Sequence, residues 1–430
     1  MSDIIFYKTK SIMKIIYVIY FILIKIYIFG LSLHFLDNSM VLISFALLSL
    51  LLFFYDVYKN SISDKYKIEV FLSFAFIILA IISTYVNVKR IPLVTLSFNF
   101  VMFLLLFYNN SNTPRDIIEK EKSLISKIVF YVISISTAIS LIFALIEKIF
   151  NIMLFNHTSF MFGYRFYGVI GINHNPNACS HNYFIGIFLG ILLIAKNKER
   201  KIHIILLTIL NTIALLLTNT RVTILALFAL VFFVFLYYII KANKLKHIVT
   251  IIITLSLLLF SYFMFNYKIG VEAGDRPLII QPNYNFENIA NNITSNRYQL
   301  YKASIEMAKD SPIIGKGLNT FHENAIKKYG ENSMEVYNTN EDPHCLIFSV
   351  YYYLGIVGLL IVTIYLFRII KNVVKHLKNN VDLENYVISG FLFGCFIISL
   401  LDYNMFIRVY FYGIIFWLYL GYLYFDLKKE

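Results

Sequence analysis

The chain has 430 residues, of which 59% are hydrophobic, 17% aromatic and only 15% charged, with a formal net charge of +13. An average soluble domain carries about 25% charged residues. A chain this poor in charge has too few polar groups to cover a water-facing surface, which excludes a string of soluble domains. Its basic excess lies in short clusters between apolar runs, where positive-inside partitioning places Lys and Arg. Basic tails and Arg-rich segments are absent, so no nucleic-acid partner is expected.

Crossing about 30 Å of hydrocarbon takes roughly 17–25 apolar residues. Runs of this kind fall near 12–34, 39–55, 68–86, 91–108, 125–147, 178–195, 202–218, 222–240, 247–266, 345–367, 386–402 and 406–425, predicting an all-α polytopic membrane protein of about twelve transmembrane helices. The first run lacks a following small-residue cleavage site and reads as a span, not a removable signal. With the N-terminus inside, the inner segments carry 23 Lys and Arg, from Lys8, Lys10 and Lys14 through Lys122, Lys196 and Arg368 to Lys429. The short outer segments carry six, namely Lys89, Arg90, Lys148, Arg165, Arg221 and Arg408. Both termini are therefore expected to be cytoplasmic.

One outer connection differs from the rest. Residues 267–343 form a 77-residue loop with eight Lys/Arg, ten Asp/Glu and four of the seven prolines. Within it, Arg297 to Lys309 interleaves Leu300, Ala303, Ile305 and Met307 with charges and predicts a short amphipathic helix. Ser311-Pro312 ends that helix, Gly315-Lys316-Gly317 reads as a turn, and a second helix is predicted over Asn319–Lys328. The chain thus divides into N-terminal helices (1–147), a second helical group with a smaller outer loop (148–177) and Arg221 (148–266), the large extracytoplasmic loop (267–343) and C-terminal helices (344–430). No internal repeat is visible, unlike inverted-repeat transporters. Cys179, Cys345 and Cys395 have neither disulfide nor zinc spacing, and neither is expected.

Few ionisable residues border the spans, so each is worth weighing. Arg221 sits between two apolar runs with almost no loop around it. One reading is an interfacial Arg on lipid phosphates; the other is a guanidinium held for a diphosphate, whose oxygens its planar fork fits with two parallel hydrogen bonds. Arg165 stands in an aromatic, Gly-rich segment on the same predicted face, either solvated or converging with Arg221 on one diphosphate. His344 closes the long loop just before the tenth run, where an imidazole serves as a proton acceptor or simply as an interfacial residue. His174 and His181 lie on the same side and are alternatives for that role. Gly355 and Gly358 are ordinarily explained by tight helix packing. A phosphate contact by Gly315-Lys316-Gly317 is a lesser alternative to a bare turn.

Taken together, these residues resemble the O-antigen ligase and polymerase superfamily, whose members move glycans off undecaprenyl diphosphate at the outer face of the bacterial cytoplasmic membrane. The family motif is His, a small polar residue, nine residues, Gly, two residues, then a small residue or Tyr. Here it reads His344-Cys345, nine residues from Leu346 to Leu354, then Gly355-Ile356-Val357-Gly358. Cys345 departs from the usual Asn, Ser or Gln. Arg165-Phe-Tyr-Gly168 followed by Asn175-Pro176-Asn177 resembles the family's Arg-x-x-Gly…Asn-Pro-Asn loop, and Leu217-Thr-Asn-Thr-Arg221 its Thr-x-Ser-Arg boundary. Asn296-Arg297 through Asp310-Ser-Pro312 to Gly315-Lys-Gly317 resembles the run into its large loop, with Tyr301 where Trp is common. The resemblance spans roughly residues 150–370.

The resemblance implies an inverting glycosyltransferase that needs no cofactor and no metal. Arg165 and Arg221 would hold the donor diphosphate, and His344 would orient or deprotonate the acceptor hydroxyl. Arg297, His174 and Asn177 are weaker candidates, with Gly168, Gly355 and Gly358 as motif glycines. Implied partners are the undecaprenyl-diphosphate-linked oligosaccharide donor, a glycan or lipid A core acceptor, membrane lipids and other polysaccharide-assembly proteins. Three functions follow: a polymerase of lipid-linked repeat units into O-antigen or capsular-type polysaccharide, a ligase onto lipid A core or another acceptor, and, more remotely, a flippase. The Ile, Lys, Asn, Tyr and Phe bias implies AT-rich coding, common in surface-polysaccharide gene clusters, and tilts the expectation to the polymerase.

Overall fold

The computed structural model describes residues 2–25, 39–62, 66–150, 158–161, 164–167, 176–196, 202–218, 220–242, 297–330, 343–402, 405–407 and 411–426. These form helices α1 (Ser2–Lys25), α2 (Ser39–Asn60), α3 (Lys67–Val88), α4 (Leu93–Phe100), α5 (Arg115–Phe150), α6 (Pro176–Lys196), α7 (Ile202–Leu217) and α8 (Arg221–Ala242). After them come α9 (Arg297–Ala308), α10 (Phe321–Tyr329), α11 (Leu346–Asn379), α12 (Leu383–Leu401) and α13 (Phe411–Asp426). An antiparallel hairpin, β1 (Thr158–Met161) and β2 (Tyr164–Tyr167), precedes α6. Helix α4 continues as a π-helical turn over Val101–Phe107 and a 3-10 turn over Tyr108–Asn110.

Helices dominate because a lipid-embedded backbone has no water to satisfy its polar groups. Eight described helices are long and apolar enough to cross a membrane, and α7 and α13 are shorter apolar ones. Ten of the twelve predicted runs coincide with a helix and the first meets one over 12–25; residues 26–34 and the run at 247–266 lie outside the described residues. The first helix begins ten residues earlier than expected and carries Lys8, Lys10 and Lys14 within it. The two predicted helices of the large loop are α9, which starts at Arg297 as expected and ends one residue earlier, and α10, displaced by a residue or two at both ends.

Helix α13 is apolar all round and is buried along residues 411–425, as such a helix should be. Trp417 sits at its middle, edge-on to Phe103, Phe406 and Phe416, and donates its indole N–H to Met405 O at 3.3 Å. Outward-facing Leu51, Phe71, Leu360 and Phe367 are exposed. Such side chains suit lipid, which is as apolar as they are.

At one end of the bundle, basic residues that the sequence assigned to inner loops are paired within it. Lys10 Nζ lies 2.7 Å from Asp56 Oδ2, and Lys14 Nζ lies 3.0 Å from Glu121 Oε1 and 2.5 Å from Asn110 Oδ1. Tyr422 also donates to Glu121 at 2.6 Å. Arg368 and Tyr424 converge on Glu69, and Lys122 and Lys196 share Glu119 and Glu384. Burying these charges is tolerable only with partners in place. Lys14→Met, which strands Glu121, is expected to destabilise the detergent-purified protein by about 3–5 kcal/mol. Adding Glu121→Leu should recover most of that loss in thermal unfolding.

Candidate active site

The opposite end gathers a different set of side chains around Asp402. This residue follows the last turn of α12, where its N–H donates to Ile398 O at 2.8 Å, and its side chain is only 2% exposed. Arg297, the first residue of α9, reaches Asp402 with one terminal nitrogen and the neighbouring Leu401 carbonyl with the other. Nη2 donates to Asp402 Oδ1 at 2.5 Å and Nη1 to Leu401 O at 2.6 Å. His344 Nδ1 lies 3.9 Å from the same Oδ1, and His181 Nε2, from α6, lies 3.7 Å from Oδ2. One buried carboxylate thus faces one guanidinium and two imidazoles.

His344 is held there by an uncommon backbone. Its φ is 50°, in the left-handed region that costs a non-glycine residue energy, and Cys345 then turns to an extended φ of −160° to cap α11. Strain of this kind survives only where the surroundings over-determine it. Tyr301 of α9 stacks on Phe348 of α11 at 4.5 Å between ring centroids, fastening the helix of Arg297 to that of His344.

Burial, then the nearby Arg297, hold the His344 imidazole below its ordinary pKa, against the opposing effect of a hydrogen bond to the Asp402 backbone, which favours the protonated ring. Near neutral pH the ring is therefore uncharged and able to accept a proton. Burial pushes Asp402 above the usual carboxylate range, and Arg297 pulls it back.

Arg221 is the first residue of α8 and is exposed. Helices α8 and α12 run antiparallel, Gly394 approaching Ala226 and Gly390 approaching Leu230, which brings Arg221 to the Asp402 end. Ser180 beside His181 shares a 2.8 Å hydrogen bond with Thr223, so α6 and α8 begin side by side. Among the described residues no carboxylate is within ion-pair distance of Arg221. The N-termini of α6, α8 and α11 all open at this end, each contributing about half a positive charge.

The remaining candidates fall elsewhere. Arg165 lies on β2 opposite Phe160. Asn177 is in the first turn of α6, its carbonyl accepting from Ser180 Oγ at 2.8 Å. His174, Asn175, Gly168 and Arg408 lie outside the described residues. Gly355 does not serve plain helix packing: its φ of 65° and ψ of −163° break α11. Nor is Gly315-Lys316-Gly317 open to a phosphate. Its three amides donate to Ser311 O, Tyr352 O and Tyr353 O, and Lys316 Nζ pairs with Asp310 at 3.0 Å.

Asp402 was missed from the sequence, although a signal existed: it is the one acidic residue between Glu384 and Asp426, in an otherwise apolar stretch. An ionisable group in such a setting is functional by default. His181 went unranked because nothing in the sequence ties it to a partner more than 200 residues away.

The assignment of His344 as a neutral imidazole under the influence of Arg297 has a measurable consequence. Its pKa, followed by NMR of histidine-labelled protein, is expected below the free value of about 6.5. Arg297→Gln removes a cation that disfavours the charged ring and should raise that pKa; an unchanged or lower value would contradict the geometry.

No curated protein matches the chain significantly. Residues 205–363 match the family model described as O-antigen ligase, a segment that holds Arg221, Arg297, His344, Gly355 and Gly358 but not Arg165 or Asp402. That match supports the O-antigen ligase and polymerase superfamily for this chain and points to a ligase-type glycosyl-transfer activity.

Proposed function

We propose that the protein is a membrane-embedded inverting glycosyltransferase that takes an oligosaccharide from undecaprenyl diphosphate and joins it to a second lipid-linked repeat unit. The convergence of Arg297, Asp402 and His344 at the end where Arg221 and three helix N-termini also open is the observation that carries this reading. A diphosphate is the most anionic part of such a donor, and at this end Arg221 has no carboxylate within ion-pair distance among the described residues.

In the proposed reaction His344 takes the proton of the acceptor hydroxyl. The acceptor oxygen forms a bond to C1 of the donor sugar from the face opposite the diphosphate. The C1–O bond breaks, its electron pair leaving with undecaprenyl diphosphate, and the anomeric configuration inverts. Arg221, with Arg165 from the hairpin, neutralises the charge that grows on the leaving group, and donors fixed beforehand for a developing anion are strongly catalytic. Asp402 holds Arg297 and faces His344, so it orients the base without touching substrate. The proposed site faces the exterior of the cytoplasmic membrane, because the positive-inside bias puts the ion-paired end in the cytoplasm.

The matched family description favours a second reading, a ligase that passes finished glycan to lipid A core or another acceptor. Purified protein given undecaprenyl-diphosphate-linked repeat unit as sole substrate separates the two. A ladder of longer lipid-linked chains marks a polymerase; one shifted product, formed only when a distinct acceptor is added, marks a ligase. Arg221→Lys keeps the charge but loses the fork and is expected to lower kcat by about 10²-fold, as loss of one donor to a developing anion does. His344→Ala should lower kcat by about 10²–10⁴-fold, to a small residual rate, while the protein still inserts in the membrane. Full activity in both variants would remove the proposed site.

A further inference from the structure

We propose that the break in α11 at Gly355, locked by the backbone of Pro312–Gly317, aims His344 at its substrate, and that Ser83 and Asn87 of α3 are positioning residues for the transfer. The inference rests on the glycosyl-transfer reading above but concerns residues that reading does not use. An unbroken helix would bond Ile356 N–H to Tyr352 O and Val357 N–H to Tyr353 O. Instead Ile356 N donates to Pro312 O at 2.9 Å and Val357 N to Ile313 O at 3.3 Å. Tyr352 O and Tyr353 O accept from Lys316 N at 2.8 Å and Gly317 N at 3.0 Å. Two helical hydrogen bonds have been exchanged for four to the loop, and both halves of the helix are satisfied only while the loop is seated.

Glycines make this contact possible. A Cβ on Gly355 would collide with the Ile313 carbonyl, and one on Gly315 with the peptide joining Tyr353 and Leu354. All three glycines of the junction have positive φ, at 65°, 76° and 86° for Gly355, Gly315 and Gly317.

Helix α3 grips the junction from the other side. Ser83 Oγ donates to Tyr353 O at 2.8 Å, Leu318 N–H donates to Thr84 Oγ1 at 2.9 Å, and Asn87 Nδ2 donates to Gly315 O at 3.0 Å. A Cβ on Gly317 would stand 2.7 Å from Thr84 Cα, so the loop lies directly against the helix backbone.

The consequence for His344 is one of leverage. The piece from Leu346 to Leu354 is about 13 Å long at 1.5 Å per residue, with His344 at its far end. Tilting it by about 10° at Gly355 moves the imidazole by roughly 2 Å, and a 1 Å misplacement of a catalytic group can cost about 10²-fold. Because the same loop follows α9, one clamp sets the base and its Arg297–Asp402 partners together.

The test uses the full chain in nanodiscs with undecaprenyl-diphosphate-linked repeat unit, measuring kcat, donor KM, and thermal stabilisation by undecaprenyl diphosphate. Ser83→Ala/Asn87→Ala removes two side-chain hydrogen bonds without adding bulk, so it carries the test even if Gly355→Ala does not fold. The double variant is expected to lose about tenfold or more in kcat, while donor KM and the stabilisation by undecaprenyl diphosphate stay at wild-type values. Set beside His344→Gln, which retains whatever rate does not need the base, the loss should shrink or vanish, as it must for residues acting through one another. A kcat within twofold of wild type overturns the proposal. So does a loss that tracks melting temperature and donor binding, which marks a structural role. If the wild-type protein transfers no sugar from any lipid-linked donor, the glycosyl-transfer reading itself fails, and the variants are then irrelevant to it.

Discussion

A carbonyl in the interior of a membrane protein has no water to turn to, and an orphaned one costs several kcal/mol. The break in α11 would create two such carbonyls, at Tyr352 and Tyr353, and two orphaned amides, at Ile356 and Val357. Much of the site end follows from how that debt is met. The backbone of Pro312–Gly317 satisfies all four groups, so the large loop is stitched into the helical bundle rather than laid over it. Since α9 leads directly into that stretch, its first residue, Arg297, is carried to the end of α12, where Asp402 waits. The junction glycines are required by the same geometry: a Cβ on Gly315 or Gly355 would push the loop and α11 apart, and one on Gly317 would push the loop off α3.

The two ends of the bundle handle buried charge in opposite ways. At one, Lys10, Lys14, Lys122, Lys196 and Arg368 each have an acid in reach, and the hydroxyls of Tyr422 and Tyr424 take up further carboxylate lone pairs. Such pairs tie α1, α2, α3, α5, α11 and α13 together. At the other, Asp402 is the shared acid for Arg297, His344 and His181, while Arg221 and the N-termini of α6, α8 and α11 add positive potential with no described carboxylate beside Arg221. An end with a surplus of positive character and an uncharged imidazole suits an anionic substrate that must give up a leaving group. The matched O-antigen ligase segment runs across this end, from α7 to the middle of α11.

Much of the fold was legible because a bilayer imposes length and hydrophobicity on each span. Runs such as 68–86 and 222–240 therefore located α3 and α8 to within a residue or two. The amphipathic pattern that starts at Arg297 likewise gave α9, since a helix lying on a polar boundary must alternate in the same 3.6-residue period. Ion pairing was not legible: Lys14 and Glu121 are 107 positions apart, and local sequence made the lysine look like one more inner-face charge.

The site shows the same division. Arg221 stood out as a lone ionisable residue between two apolar runs and His344 as the residue closing the long loop before a span, placements visible in one dimension. Asp402, Arg297 and His181 gain their meaning only from one another, across distances that no spacing rule connects. Gly355 carried the motif but not its reason. What the sequence by itself determined was which segments are helical and apolar and which few polar residues border them, because the cost of transferring each segment into lipid depends on that segment alone. Which of those residues touch, and that one helix is broken to let them, was decided by the tertiary structure, because hydrogen bonds and ion pairs depend on positions in space that distant segments fix jointly.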